Sequence, residues 1–352
     1  MFANIENVTI HAPAAGHNYC HDPTIVRFQG QFWAAWQGGP ENREGGNAQA
    51  IWAATSTDFR SWSAPFPIAE PTSKHVLFAP VLWVWGEQLC LTYLDNKHDP
   101  AQSTEAKIRW GPLILRHWDG RQWSEAKCIA DPDEAQGVPA AASVVNKPIV
   151  VRKSGAEIGE RLILPLQYIN DDSVVRDCAA LLSDDGGRTF RVSERVPTCG
   201  YRLFEPSVIE LPGGRLAMYM RAVDDDFIWC SCSDDGGEHW HEAERTRLLN
   251  PGKTAVCALS GGGYLMCYND LLHTEPGASG PIARRRNLTA AVSEDGLTFQ
   301  PDCYIDTESN GFGISYPDMC EHEGRVYAIT SRRNDPSVHR PNMARGHVLE
   351  KV

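Results

Sequence analysis

The stretch SDDGGRTF at residues 183–190 returns as SDDGGEHW at 233–240 and, one residue shorter, as SEDGLTF at 293–299. A weaker copy, STDFRSW, occupies 56–62, and WDGRQW at 118–123 is a degenerate copy. In each copy Asp and Gly favour a tight turn whose amides bond the carboxylate, and the closing aromatic ring leads back into a buried strand. The repeat therefore predicts one supersecondary unit used several times, in which these aspartates are structural rather than catalytic.

Between these turns the chain reads as short apolar or alternating strands joined by Gly turns. Six such units follow one another, beginning near residues 22, 80, 140, 206, 251 and 316. Each unit is long enough for about four short strands. Six four-stranded meanders around one axis form a six-bladed β-propeller, a fold that protects the edges of its sheets. The sequence thus predicts an all-β fold of a single domain over 1–352, in which the N-terminal segment 7–11 completes the last blade.

The composition limits the partners and the compartment. A net charge of −12 makes nucleic acid and anionic membranes poor partners, although a few converging arginines can still bind a small anion. No apolar run is long enough to cross a bilayer, and the first residues lack a secretory leader. The 11 cysteines form no CxxC pair and are typical of buried reduced thiols, so a cytoplasmic location is expected.

The chain has no HExxH, P-loop, GxSxG or paired-cysteine zinc pattern, and no cofactor or metal is predicted.

The mouth of the central channel is the expected ligand site, because the ends of the innermost strands meet there. Glu205 precedes one innermost strand and Arg221 ends the next strand, so a hairpin of this span returns both to the same end of the sheet. They either line one pocket or form a surface salt bridge. Tyr316 begins the sixth unit where Glu205 begins the fourth. A tyrosine beside a carboxylate can act as a nucleophile or a proton donor, although tyrosine is also common in the cores of sheets.

Further candidates lie in the arginine runs and the first unit. Arginine binds carboxylates through a planar fork, so at least one member of the run 284–286 or of the pair Arg332-Arg333 is expected at the mouth. His21 opens the first unit and is a candidate general base, with a structural histidine as the alternative. Glu41 and Glu44 lie in the loop after the second strand, where either is a candidate general acid.

These residues resemble the sialidase-like superfamily, whose Asp-box repeats decorate six-bladed propellers. The resemblance covers nearly the whole chain and is strongest over 205–221 and 286–317. In that superfamily a tyrosine is the nucleophile, a glutamate is its base, and three arginines hold the carboxylate of the substrate. The resemblance therefore implies matching roles for Tyr316, Glu205, Arg221 and Arg286, with Arg332 or Arg333 as the remaining arginine.

Two places depart from the family pattern. The superfamily has an Arg-Ile-Pro motif in the first blade, where this chain reads His21-Asp22-Pro23, which puts Asp22 beside the substrate. The loop aspartate that serves as general acid has no counterpart unless Glu41 or Glu44 replaces it. Related propellers that act on uronate-containing polysaccharides or rhamnose-glucuronate linkages use histidine with tyrosine or arginine instead.

The predicted function is cleavage of a terminal acidic sugar from a glycan or oligosaccharide by a sialidase-like exo-glycoside hydrolase. The catalytic candidates are Tyr316, Glu205, His21 and Glu44, and the substrate-binding candidates are Arg221, Arg286, Arg333 and Asp22. One alternative is a lyase in which His21 and Tyr316 perform an elimination at a uronate. Another is a propeller that binds an acidic glycan without cleaving it. All three predict an acidic carbohydrate as partner and leave the oligomeric state open.

Overall fold

A computed structural model describes residues 1–46, 48–72, 75–97, 111–131, 141–153, 159–169, 176–271, 284–307, 313–335 and 337–352. Every regular element within these ranges is a β-strand, and the strands form six antiparallel sheets arranged as a ring. The prediction of an all-β, six-bladed propeller is confirmed. Across these same ranges, no helix suited to spanning a bilayer is found.

The chain begins with β1 (Phe2–His11) and then forms the first two blades. The first blade, from the innermost strand outward, contains β2 (Tyr19–Phe28), β3 (Gln31–Gly39), β4 (Ala50–Ser56) and β5 (Phe66–Ala69). The second blade contains β6 (Val76–Trp85), β7 (Gln88–Asn96), β8 (Leu113–Trp118) and β9 (Lys127–Ala130). Sequential strands pair antiparallel in both blades, so each blade is a simple meander.

The third blade differs from the others in its innermost strand, which is split into two parts. Its strands are β10 (Ala141–Val144), β11 (Ile149–Lys153), β12 (Gly159–Ile169), β13 (Arg176–Ser183) and β14 (Arg191–Val192), and both β10 and β11 pair with β12. The fourth blade is regular and contains β15 (Leu203–Glu210), β16 (Leu216–Ala222), β17 (Phe227–Ser233) and β18 (Glu244–Leu249).

The last two blades close the ring. The fifth contains β19 (Ala255–Ala258), β20 (Tyr264–Asn269), β21 (Asn287–Ser293) and β22 (Gln300–Thr307). The sixth contains β23 (Ile314–His322), β24 (Arg325–Arg332) and β25 (Met343–Lys351), with β1 as its outermost strand. Phe2 pairs with Lys351 and His11 with Ala344, so the two ends of the chain share one sheet. The N-terminal segment completes the last blade, as the sequence predicts.

The core is divided into layers between neighbouring blades. Each of the six blade interfaces has its own cluster of buried apolar side chains; Leu82 and Ile51 share one, for example, and Leu216 and Ile163 share another. Both faces of a blade are therefore covered, which explains why the inner strands are continuous apolar runs rather than alternating ones. Because each blade packs against two neighbours, the ring holds its innermost strands rigidly around the channel.

The Asp-box turns connect the third and fourth strands of their blades. Asp185 accepts hydrogen bonds from the amides of Arg188 (3.0 Å) and Thr189 (2.9 Å) and from the hydroxyl of Ser183 (3.0 Å). Asp295 accepts from the amides of Leu297 (2.8 Å) and Thr298 (2.7 Å) in the same way. Hydrogen bonds to the ionised carboxylate hold the pKa of each at about 2, so these aspartates are charged parts of the turn.

Asp295→Asn is expected to make the stability of the protein less dependent on pH. A carboxylate whose pKa is lower in the folded than in the unfolded chain stabilises the fold above about pH 4, and this contribution is lost as the pH falls towards about 2. The wild-type melting temperature should therefore fall more steeply over this window than that of the variant. The control is Glu294→Gln, which removes an exposed charge from the same turn. Parallel melting curves for wild type and Asp295→Asn would contradict the assignment.

Candidate active site

Four innermost strands contain a non-glycine residue with left-handed backbone directly before a proline. These residues are Asp22, Ala79, Glu205 and Tyr316, with φ between 49° and 57°. Each lies at a β-bulge where the pairing with the second strand of its blade shifts register. A bulge redirects side chains out of the regular alternation of a strand. Blade four adjoins neither blade one nor blade six in the ring, so the hydrogen bond from Tyr316 to Glu205 places these two side chains at the central channel. The same holds for Asp22, whose partner Lys253 lies in the loop between blades four and five.

Tyr316, Glu205 and Arg221 form the centre of the site. The phenol of Tyr316 donates a hydrogen bond to Oε1 of Glu205, and Nη1 of Arg221 donates to Oε2 at 3.1 Å. Burial opposes ionisation of Glu205, but the Arg221 charge and the Tyr316 hydrogen bond lower its pKa overall. Burial and the charge of Glu205 raise the pKa of Tyr316. The resting pair is therefore a neutral phenol donating to a carboxylate.

Arg285 is the member of the arginine run that reaches this centre. Its guanidinium carbon lies 5.4 Å from the ring centroid of Tyr316, and the residue is 8% exposed. Its guanidinium makes no hydrogen bond or ion pair with the residues that the structure describes, and its buried Nε has no partner among them. Burial and then the charge of Arg221 lower the pKa of Arg285. The sequence singles out Arg286, but the structure puts Arg285 over the phenol.

His21 also packs against the ring of Tyr316. The ring centroids of His21 and Tyr316 are 4.2 Å apart, and Nδ1 of His21 lies 2.9 Å from the hydroxyl of Ser331. Burial, followed by the charges of Arg285, Arg340 and Lys253, lowers the pKa of His21 well below its usual value. The imidazole is therefore neutral. Neutral histidine accepts or passes on a proton but does not itself attract an anion.

Asp22 pairs with a lysine that the sequence argument missed. Nζ of Lys253 donates to Oδ1 of Asp22 at 2.9 Å and to the carbonyl of Val145 at 2.8 Å, and it lies 5.6 Å from the ring centroid of Tyr316. Both members of the pair are buried. Burial raises the pKa of Asp22 to about 6, although Lys253 opposes the shift. Asp22 is thus held next to the site in a buried ion pair with Lys253.

Glu44, rather than Glu41, faces the site. Oε1 of Glu44 lies 3.4 Å from Nε2 of Gln37, and burial raises the pKa of Glu44 against the opposing charge of Arg340. Glu41 pairs instead with Arg43 at 3.0 Å. A half-buried carboxyl with a raised pKa keeps its proton at a higher pH than usual, which suits a general acid.

The remaining candidates have other contacts. Nη1 of Arg333 donates to the carbonyl of Val338 at 3.2 Å, and Nη1 of Arg332 lies 3.4 Å from Asp306. Arg340, in the loop before β25, lies close enough for its charge, like that of Arg285, to act on both His21 and Glu44. The sequence argument did not consider Arg340, because no run of charges or strand end marks it.

Comparisons with known proteins bear on the fold of this chain. The family model described as BNR repeat-like domain matches residues 30–328. Comparison with curated proteins finds no match. A crystal structure of a protein of unknown function from Dyadobacter fermentans superposes with a TM-score of 0.76 at 16% identity, covering 100% of this chain and 99% of the other.

Solved sialidases superpose as well. The NanB sialidase from Streptococcus pneumoniae, in complex with a chlorobenzyl-ammonio ethanesulfonate, gives a TM-score of 0.64 at 11% identity, covering 97% of this chain and 70% of the other. The Trypanosoma rangeli sialidase in complex with sialic acid gives 0.71 at 15% identity, covering 99% of this chain and 58% of the other. This chain thus spans little more than half of the Trypanosoma enzyme. At these identities the likeness shows a common fold.

Lys253→Met is expected to destabilise the protein strongly, because it leaves Asp22 buried without its cation. Breaking a buried ion pair from one side costs about 3–5 kcal/mol, whereas replacing both partners by neutral groups costs far less. The double variant Asp22→Asn/Lys253→Met should therefore recover most of the free energy of unfolding, measured by urea denaturation.

The loss in Lys253→Met should also grow with pH. The folded pKa of Asp22 is about 6 with Lys253 in place, and loss of this cation raises it further, because Lys253 opposes the effect of burial. The variant therefore continues to lose stability as the pH rises above about 6, where folded wild type no longer holds the extra proton. Equal losses for the single and double variants, or a loss independent of pH, would show that the pair does not act as described.

Proposed function

This chain belongs to the BNR repeat-like family of sialidase-like propellers, and from that premise we propose that it is a glycoside hydrolase acting on a terminal acidic sugar of a glycan or oligosaccharide. The observation that carries the proposal is the hydrogen bond from Tyr316 to Glu205 beside the buried guanidinium of Arg285. This arrangement brings together a nucleophile (Tyr316), a base (Glu205) and an anion-binding group (Arg285).

Arg285 supports an anionic substrate. A buried guanidinium without a carboxylate partner among the described residues is costly, and a substrate carboxylate supplies the missing partner through two parallel hydrogen bonds. Arg221 is already bonded to Glu205, and Lys253 to Asp22. Among the described residues, Arg285 is therefore a cation whose guanidinium is available to the ligand. Such a substrate also explains a tyrosine nucleophile, because a carboxylate nucleophile would repel an acidic sugar.

The reaction consists of two displacements. In the first, the Tyr316 oxygen attacks the anomeric carbon while Glu205 takes the phenolic proton, the glycosidic bond breaks, and a general acid protonates the leaving oxygen. In the second, water attacks the glycosyl-tyrosine, the acid now acts as a base for that water, and Glu205 returns its proton to the departing phenol. Because each step inverts the anomeric carbon, the product keeps the configuration of the substrate.

Glu44 is the general acid in this proposal. Its raised pKa keeps it protonated where Glu205, with its lowered pKa, is already ionised. The two carboxyls therefore hold opposite protonation states over one pH range, as acid and base catalysis requires. Activity should rise as Glu205 ionises and fall as Glu44 loses its proton.

The test is hydrolysis of 4-methylumbelliferyl glycosides of N-acetylneuraminate, glucuronate and galactose. We expect release of 4-methylumbelliferone from the glycoside of an acidic sugar and none from the galactoside. Proton NMR should show that the released sugar first has the anomeric configuration of the substrate. Tyr316→Phe removes the nucleophilic oxygen and should lower kcat at least about 100-fold. Arg27→Lys is the control, because Arg27 is a half-buried residue of β2 whose guanidinium lies 3.5 Å from the carbonyl of Thr57. Full turnover by Tyr316→Phe, or binding of acidic sugars without any product, would contradict the proposal, and the second result would favour a glycan-binding propeller.

Glu44→Gln should have an effect that depends on the leaving group. A good leaving group such as 4-methylumbelliferone needs little protonation as it departs, whereas the hydroxyl oxygen of a departing sugar must be protonated. We expect a small loss of kcat/KM on the aryl glycoside and a loss of about 100-fold or more on an oligosaccharide with the same terminal sugar. The variant should also lose the decline in activity at high pH. Glu41→Gln is the matched control, and an equal loss on both substrates would remove Glu44 from the role of acid.

His21 supports a second candidate function, elimination at a uronate. Its neutral ring lies against Tyr316, so the two side chains can divide the removal of the C5 proton and the protonation of the leaving oxygen. This reaction creates an unsaturated uronate that absorbs in the near ultraviolet, whereas hydrolysis does not. Incubation with uronate-containing oligosaccharides, read by absorbance and by reducing ends, separates the two reactions.

A further inference from the structure

The amide groups of the strained bulge residues are bonded by side chains of the preceding blade. The amide of Glu205 donates to Oε1 of Gln167 at 2.8 Å, and the amide of Ala79 donates to Oε1 of Gln37 at 2.8 Å. The amide of Asp22 lies 3.2 Å from the hydroxyl of Ser331. In each case the acceptor lies on the second strand of the blade before, on β12, β3 or β24. The same type of contact thus recurs at three of the four bulges.

Gln167 is fixed at both ends of its side-chain amide. Its Nε2 donates to the hydroxyl of Ser143 at 2.8 Å, which lies opposite it on β10, and the residue is 4% exposed. On the other side of the bulge, Nδ2 of Asn146 donates to the carbonyl of Pro206 at 2.9 Å. The peptide around Glu205 is therefore held from both sides by buried amide groups of the third blade.

We propose that Gln167 is a positioning residue, which keeps the Glu205 carboxylate between Tyr316 and Arg221 by bonding the strained backbone at Glu205. This inference rests on the proposed hydrolase function. Glu205 has a φ of 54°, a conformation that a non-glycine residue keeps only where its surroundings enforce it. Without the acceptor on Gln167 the buried amide has no partner, and the backbone relaxes towards an extended conformation. The carboxylate then leaves the phenol, and small misplacements of a catalytic group have large effects on rate.

Gln37 shows that the hydrogen bond between a glutamine and a bulge amide also occurs where the bulge residue has no functional side chain. At Ala79 the glutamine holds a residue with only a methyl side chain, yet its Nε2 lies 2.9 Å from the hydroxyl of Tyr19 and 3.4 Å from Glu44. Gln167 makes no such second contact at the mouth, because its Nε2 donates to the hydroxyl of Ser143. Substitution of Gln167 therefore affects the site through Glu205, whereas substitution of Gln37 would also disturb Glu44, so Gln37 is less suitable for the test.

The experiment compares Gln167→Met, Gln167→Glu and Ser193→Ala on the acidic 4-methylumbelliferyl glycoside that the wild type cleaves. Gln167→Met removes the acceptor and should lower kcat about 100-fold with KM within about 2-fold. Gln167→Glu keeps an acceptor oxygen and should restore most of kcat, but its added acid raises the pKa of Glu205 and moves the acidic limb of the pH profile upward. Ser193→Ala removes another buried hydrogen bond of the third blade, to the amide of Ala180 (2.9 Å), and should change only the melting temperature.

Amide exchange provides a measurement that needs no substrate. By hydrogen-exchange NMR on the full chain, the Glu205 amide should be protected in the wild type and in Gln167→Glu and should lose protection in Gln167→Met. Wild-type kcat in Gln167→Met, an unmoved pH profile in Gln167→Glu, or unchanged protection would overturn the inference. If the wild type cleaves none of the glycosides, the proposed function fails, and the exchange data alone decide whether Gln167 holds Glu205.

Discussion

A residue before proline is normally extended, yet Asp22, Ala79, Glu205 and Tyr316 all have left-handed backbone at that position. Such a conformation costs on the order of 1–3 kcal/mol for a non-glycine residue and persists only where the surrounding structure enforces it. Here the ring places the second strand of a blade beside the bulge of the next blade, so that side chains such as Gln167 bond the strained backbone. Each blade is packed on both faces, and β1 closes the last blade against β25, so the innermost strands cannot relax sideways. The chemistry at the mouth therefore depends on the closure of a ring whose last strand contributes nothing to that chemistry.

Positive charge is in excess among the described side chains around Tyr316. Arg221 is bonded to Glu205 and Lys253 to Asp22, and both pairs are buried. Such pairs contribute little net stability, because desolvation offsets most of the attraction, but each fixes the geometry of its partner. Arg285 adds a positive charge that neither pair neutralises, and Arg340 adds another near Glu44. A protein with a net charge of −12 thus has a locally positive cluster of side chains, so its global charge does not argue against a small anionic ligand at this place.

The sequence predicts the features whose causes are local. The Asp-box turns follow from residues a few positions apart, and the hairpin that joins Glu205 to Arg221 follows from the length of one strand pair. Arg285 could not be chosen over Arg286, because both precede β21, where the alternation of side chains is not yet set. Lys253 and Arg340 lie in loops, where lysine and arginine are ordinarily solvated. Their positions at the mouth follow from the ring, which brings Lys253 to Asp22 across 231 residues. The prolines at the bulges are visible in the sequence, but the left-handed backbone before them is visible only in three dimensions.

The contact between Tyr316 and Glu205 also bears on the choice between hydrolysis and elimination. In hydrolysis the phenolic proton moves to Glu205 as the tyrosine oxygen forms its bond to carbon, and it returns when that bond breaks, so no free phenolate is formed. In elimination the phenol gives its proton to the leaving oxygen, although its hydrogen bond points towards Glu205. It is then left as an anion beside a carboxylate. Burial and the charge of Glu205 raise the pKa of Tyr316, which penalises that anion more than the covalent intermediate. The hydrogen bond that would activate the tyrosine as a nucleophile in the proposed hydrolysis therefore makes it a poor proton donor, which supports the proposal of hydrolysis over that of elimination.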